Sequence, residues 1–120
     1  MLFKEPDIRE QIWSLKPRLQ AILFDFAYYS WYKWAVEITI TSAIRLDNPD
    51  SVHYYGRGVD IRSWVFTPEQ RAELAFYINN KYKYGDDQHE TLLYHKTNSD
   101  DAEFHFHLQV RDESPKRGLC

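Results

Sequence analysis

Cysteine is almost missing from this 120-residue chain: Cys120, the last residue, is the only one. Intrachain disulfides and a cysteine-based zinc site are thereby excluded. No apolar run reaches membrane-spanning length. The opening Met-Leu-Phe-Lys-Glu-Pro-Asp lacks the apolar stretch of a secretory signal. Synthesis and folding in a reducing cytoplasm are therefore expected, without membrane insertion. Neither sign of charge dominates: 15 Lys and Arg mix with 18 Asp and Glu for a net charge of −3. The electrostatic footprint of a nucleic-acid binder is missing. There is no repeat, low-complexity segment or interdomain linker, and the length suits one domain with one core. A monomer is the expected state.

Aromatic residues are abundant, at 17% with nine Tyr and four Trp. That is more than a minimal core needs and suggests large core rings plus an aromatic-lined surface groove. Ile8, Ile12, Leu15, Leu19, Ile22, Leu23 and Phe26 recur at helical spacing, interrupted by Pro17, which predicts a kinked helix or two short ones. The cluster from Tyr28 to Trp34 reads first as core or helix-end packing and second as a ligand platform. Val36, Ile38 and Ile40 alternate with Glu37 and Thr39, predicting a half-buried strand over 34–40. Val59 to Arg62 alternates as a second strand. Thr67-Pro68-Glu69-Gln70 carries an N-cap, a proline at the first helical position and a capping-box Gln. The helix it starts buries Leu74, Ala75, Ile78 and Tyr82 and ends at Gly85-Asp86-Asp87. A short strand follows over 91–95, then a turn over 98–101. From Glu103 to Arg111, Phe104, Phe106, Leu108 and Val110 alternate with Glu103, His105, His107, Gln109 and Arg111. The fold class is α+β, a small antiparallel sheet with helices on one face. The organisation is a helical segment over 1–33, a core over 34–111 and a polar tail over 112–120.

The polar sides of two strands carry the chemistry. Asp60 lies opposite to Val59 and Ile61, and both histidines of His105-Phe106-His107 lie opposite to the phenylalanines. If the apolar sides share the core, Asp60, His105 and His107 share the open face. His53, in a loop with Gly56 and Gly58, can reach over the strand that holds Asp60. Two imidazoles and a carboxylate suit a catalytic zinc with an open fourth position. Spacing alone leaves either His105 or His107 as the third ligand. The other would stand beside the reacting water as base or oxyanion stabiliser.

These residues resemble a known family. Ser51-x-His53-x-x-Gly56-x-Gly58-x-Asp60 is similar to the Ser-x-His-x-x-Gly-x-Ala-x-Asp motif of D-alanyl-D-alanine carboxypeptidases and related phage endolysin peptidases, with Gly58 in place of alanine. Ile40 to Arg45 looks like the family's strand that ends in a substrate-facing arginine. His105-x-His107 resembles the His-x-His of the wider superfamily that includes lysostaphin-type endopeptidases and the hedgehog signalling domain. The resemblance spans residues 34 to 111. It implies a hedgehog-like fold with a zinc cleft on the uncovered face. It further implies zinc held by His53, Asp60 and His107, with His105 at the catalytic water and Arg45 and Ser51 toward substrate. Many family members place a glutamate base three residues before the last histidine ligand, a position held here by Phe104. Glu103 is one residue off, on the same outward face, and His105 with His95, at the end of the preceding strand, is favoured over it.

The function that follows from the resemblance is zinc-dependent hydrolysis of peptidoglycan stem peptides, in a phage or prophage enzyme acting on the cell wall. A zinc-stabilised binding or virion structural module without turnover is the alternative, and a zinc amidase is a third reading that the Ser51-to-Asp60 motif disfavours.

Overall fold

The helical spacing at the start of the chain is realised as one buried stripe from Ile8 to Phe26. The computed structural model describes residues 1–86, 88–96 and 104–112. In it Ile8–Gln11 form helix α1, Ile12–Ser14 a 3-10 turn, and Pro17–Trp34 helix α2. The break falls where Pro17 predicts it. Pro17 opens α2, where its missing N–H would have had no intrahelical partner.

Helix α2 runs through the whole aromatic cluster, which corrects the strand expected over 34–40. Ala35 ends the helix in the left-handed region (φ 53°), its N–H bonded to the Trp31 carbonyl at 2.8 Å. Strand β2 begins only at Thr39 and ends at Ser42. A strand needs a neighbour as well as an alternating pattern. The neighbour, β1 (Leu2–Phe3), starts its ladder with Leu2 N–H donating to Ile38 O at 2.8 Å.

That pairing is parallel, so the sheet is mixed rather than antiparallel throughout. Its order is β1-β2-β3-β5-β4, with β3 at Gly58–Arg62, β4 at Leu92–Lys96 and β5 at Phe104–Gln109. The remaining pairings are antiparallel. Two residues are too few to carry a periodicity, so β1 is invisible to pattern reading. Helix α3, Pro68–Lys81, has the expected capping box: Gln70 N–H donates to Thr67 Oγ1 at 3.1 Å, and Thr67 N–H to Gln70 Oε1 at 3.0 Å. It stops short of Gly85, with Tyr82 already extended.

The apolar side of the sheet is closed by rings. Phe106 of β5 meets Phe26 of α2 edge-on at 5.6 Å and Phe66 at 5.9 Å. Val59, Ile61 and Leu108 are fully buried beside them. Each such side chain contributes roughly 1.5–3 kcal/mol, so this face holds the domain together. Phe104, at the strand's end, departs from the pattern: it is exposed and stacks on Tyr94. The cluster on α2 is divided. Tyr29 stacks on Tyr77 and Trp34 packs on Phe66, whereas Tyr28, Trp31 and Tyr32 are exposed. The turn expected over 98–101, Glu103 and the tail beyond Asp112 lie outside the described residues. Among those residues, no helix is long and apolar enough to cross a membrane.

Candidate metal centre

Because Val59 and Ile61 enter the core, Asp60 between them is directed to the opposite side of β3. Antiparallel register sets it against His107, and sets Arg62 against His105. His53 arrives from a 3-10 turn, Val52–Tyr55, capped by Ser51, whose Oγ accepts the His53 N–H at 3.2 Å. Gly56 closes that turn at φ +71°, and a Cβ there would lie 2.9 Å from the Ser14 carbonyl oxygen. At Gly58 a Cβ would meet Val52 Cγ2 at 2.5 Å and His107 Cε1 at 3.1 Å. Gly56 is therefore required by backbone geometry and contact, whereas a Cβ at Gly58 would force Val52 and His107 to shift. Arg57 pins the segment through a bond to the Val110 carbonyl at 3.4 Å.

His53, Asp60 and His107 form a group that could hold a metal ion, their ligand atoms lying within 4.8 Å of one another. His107 Nδ1 stands 2.9 Å from Asp60 Oδ1, and His53 Nε2 stands 3.3 Å from the same oxygen. The other nitrogen of each ring is also engaged. His53 Nδ1 lies 2.7 Å from the Ala43 carbonyl oxygen, and His107 Nε2 lies 3.2 Å from Gln109 Oε1.

Counting protons shows what this arrangement needs. Burial raises the Asp60 pKa, but hydrogen bonds from His107 and His53 outweigh it and hold the carboxyl well below the usual range. Asp60 is thus an ionised acceptor with no proton to give. A neutral imidazole has one N–H, yet each of these rings faces oxygen acceptors at both nitrogens. A metal ion held by His53 Nε2, Asp60 Oδ1 and His107 Nδ1 could take the place of the hydrogen bonds among them. The contacts of His53 Nδ1 with the Ala43 carbonyl and of His107 Nε2 with Gln109 Oε1 would remain, the pattern by which ligating histidines are oriented.

The structure brings two further expected residues to this group. His105 Nε2 is 3.6 Å from Asp60 Oδ1, and Arg45 Nη2 is 4.0 Å from Asp60 Oδ2 with about half its side chain exposed. Arg45 lies three residues past the end of β2 rather than at a strand end. Its backbone N–H donates to His53 O at 3.3 Å, which ties it to the turn that carries His53. The hydroxyl of Ser51 is engaged in capping His53. His95 pairs with His105 in the β4–β5 register, and Glu103 lies outside the described residues. Sequence reasoning gave no role to the Ala43 carbonyl or to Gln109. The first carries no side-chain signal at all. The second shared the period-2 face of His105 and His107, which was its one available mark. No protein-family model matches this chain, and no curated protein does.

Proposed function

We propose that the domain is a zinc-dependent peptidase hydrolysing peptidoglycan stem-peptide bonds, as a D-Ala-D-Ala carboxypeptidase or an endolysin-type endopeptidase of phage or prophage origin. The observation that carries this reading is the convergence of His53, Asp60 and His107, in the order and spacing of the motif they resemble, on one carboxylate oxygen. Ligands about 2.0–2.1 Å from a tetrahedral zinc stand roughly 3.3 Å from one another. The His53–Asp60 separation of 3.3 Å fits that value, and the His107–Asp60 separation of 2.9 Å needs a small relaxation. Three protein ligands leave a fourth position open. Held by His53, Asp60 and His107, zinc would supply Lewis acidity and lower the pKa of a water molecule.

The remaining steps belong to the chain's own side chains. His105, on the same face as the ligands, holds or moves a proton at Nε2. His95 and Glu103 are its candidate partners. The Arg45 guanidinium, held at the rim, pairs with a carboxylate of the stem peptide through two parallel donors. Ser51 acts through His53 by fixing the turn that carries it.

Mass-spectrometric product analysis of purified peptidoglycan, digested by zinc-loaded protein beside a His107→Ala control, tests the reading. New stem-peptide fragments absent from the control are expected and would name the bond. A folded, zinc-bound protein that releases nothing would favour the second reading, a zinc-stabilised binding or virion structural module. Phe104, at the position where many relatives of the motif keep a glutamate base, is the observation on that side.

A further inference from the structure

Gln109 is a nearly buried polar residue at the end of β5. We infer that Gln109 is a positioning residue of the metal centre: it fixes the His107 ring so that Nε2 carries the proton and Nδ1 is the ligating nitrogen. This rests on the reading of His53, Asp60 and His107 as metal ligands.

The Gln109 amide is held in one orientation. Its Nε2 donates to the Glu90 carbonyl at 2.9 Å, and its backbone N–H donates to the Thr91 carbonyl at 2.8 Å. A carbonyl only accepts, so reversing the amide would set oxygen against oxygen at Glu90. The end that faces His107 is therefore Oε1, an acceptor, 3.2 Å from Nε2. An acceptor there selects the tautomer with hydrogen on Nε2 and leaves the Nδ1 lone pair directed at the ligand group. The anchor is itself braced by α3. Asn79 Nδ2 donates to Glu90 Oε2 at 2.8 Å, and Asn79 Oδ1 accepts the Leu92 N–H at 2.8 Å. The 90–92 segment thus sets the amide, and the amide sets the ring. Outer partners of ligating histidines act in this way, and their loss costs about 10–100-fold in metal affinity.

A simpler role would be satisfying the Glu90 carbonyl alone, and two substitutions separate the roles. Gln109→Met removes both the donor to Glu90 and the acceptor for His107. Gln109→Glu removes the donor and adds a negative charge but keeps an acceptor for His107. Calorimetric zinc titration should give affinity for Gln109→Glu within about threefold of wild type and a loss of about 10–100-fold for Gln109→Met. Equal losses in the two variants, or no loss in either, would overturn the inference. Long-range proton–nitrogen correlation spectra of zinc-loaded wild type read the ring directly and do not depend on a variant folding. The proton is expected on His107 Nε2, and a proton on Nδ1 would overturn the assignment. Wild-type protein that binds no zinc would instead refute the metal reading itself.

Discussion

Asp25 and Asp60 are both carboxylates ringed by hydrogen-bonding side chains, yet they solve different problems. Asp25, on α2, accepts from Tyr77 Oη at 2.9 Å, from Tyr82 Oη and from Lys81 Nζ at 2.8 Å. Each of those donors has a proton to spare, so the cluster is complete. It ties α2 to α3 and its far end. Asp60 is approached by two imidazoles whose other ring nitrogens face further oxygens, a grouping that could hold a metal ion. The first is a structural clamp between helices, and the second is a candidate metal site.

The sharpest break of this contrast is removal of a ligand. His107→Ala or Asp60→Asn should lower zinc affinity by more than about 100-fold, since losing a ligand exceeds losing an outer partner. Peptidoglycan cleavage should disappear with it, whereas Asp25→Asn should leave both unchanged. Zinc itself should stabilise the fold. At 100 times its dissociation constant it adds about 2.7 kcal/mol, or about 10 °C of melting temperature for a domain of this size. Scanning calorimetry with and without chelator measures that shift.

Gly58→Ala probes the same side through packing. The new Cβ would press on Val52 Cγ2 and His107 Cε1, at a cost of about 1–3 kcal/mol and some zinc affinity. Adding Val52→Ala should recover both, by chemical denaturation and zinc titration. The smallest effect belongs to the clamp. Asp25→Asn should cost about 1–2 kcal/mol through weakened charge-assisted bonds, seen as a lower urea midpoint.

Acid separates the two carboxylates less cleanly, because both are held below their ordinary pKa. At Asp25 burial pushes the value up, and bonds from Lys81, Tyr82 and Tyr77 together pull it down further. A depressed folded-state pKa gives stability that is complete above the unfolded value, about 3.9, and lost as pH falls through the folded one. Asp25→Asn should therefore flatten the acid limb of a stability–pH curve below pH ~4.

How much of this was legible in the sequence follows from the range of the forces involved. The α3 capping box and the two faces of β5 are local patterns, and they were readable. Asp60 and His107 facing each other required only that both apolar strand sides share one core. What escaped depended on distant partners. The start of β2 waits for Leu2, some forty positions earlier in the chain, and β1 is too short for any pattern. Alternation over 34–40 misled because α2 keeps its hydrogen bonds through Trp34 until Ala35 turns left-handed. The orientation of the His53 and His107 rings hangs on a backbone carbonyl at Ala43 and an amide anchored at Glu90. Neither contact leaves a trace in residue spacing.

The central proposal is that the Asp60 cluster binds a metal ion and the Asp25 cluster does not. Titrating metal-free protein with zinc, for wild type, His107→Ala and Asp25→Asn side by side, tests it most directly. The account predicts one tightly bound zinc per chain in wild type and Asp25→Asn and none in His107→Ala. Stoichiometric zinc that survives His107→Ala, or no zinc in folded wild type, would contradict it.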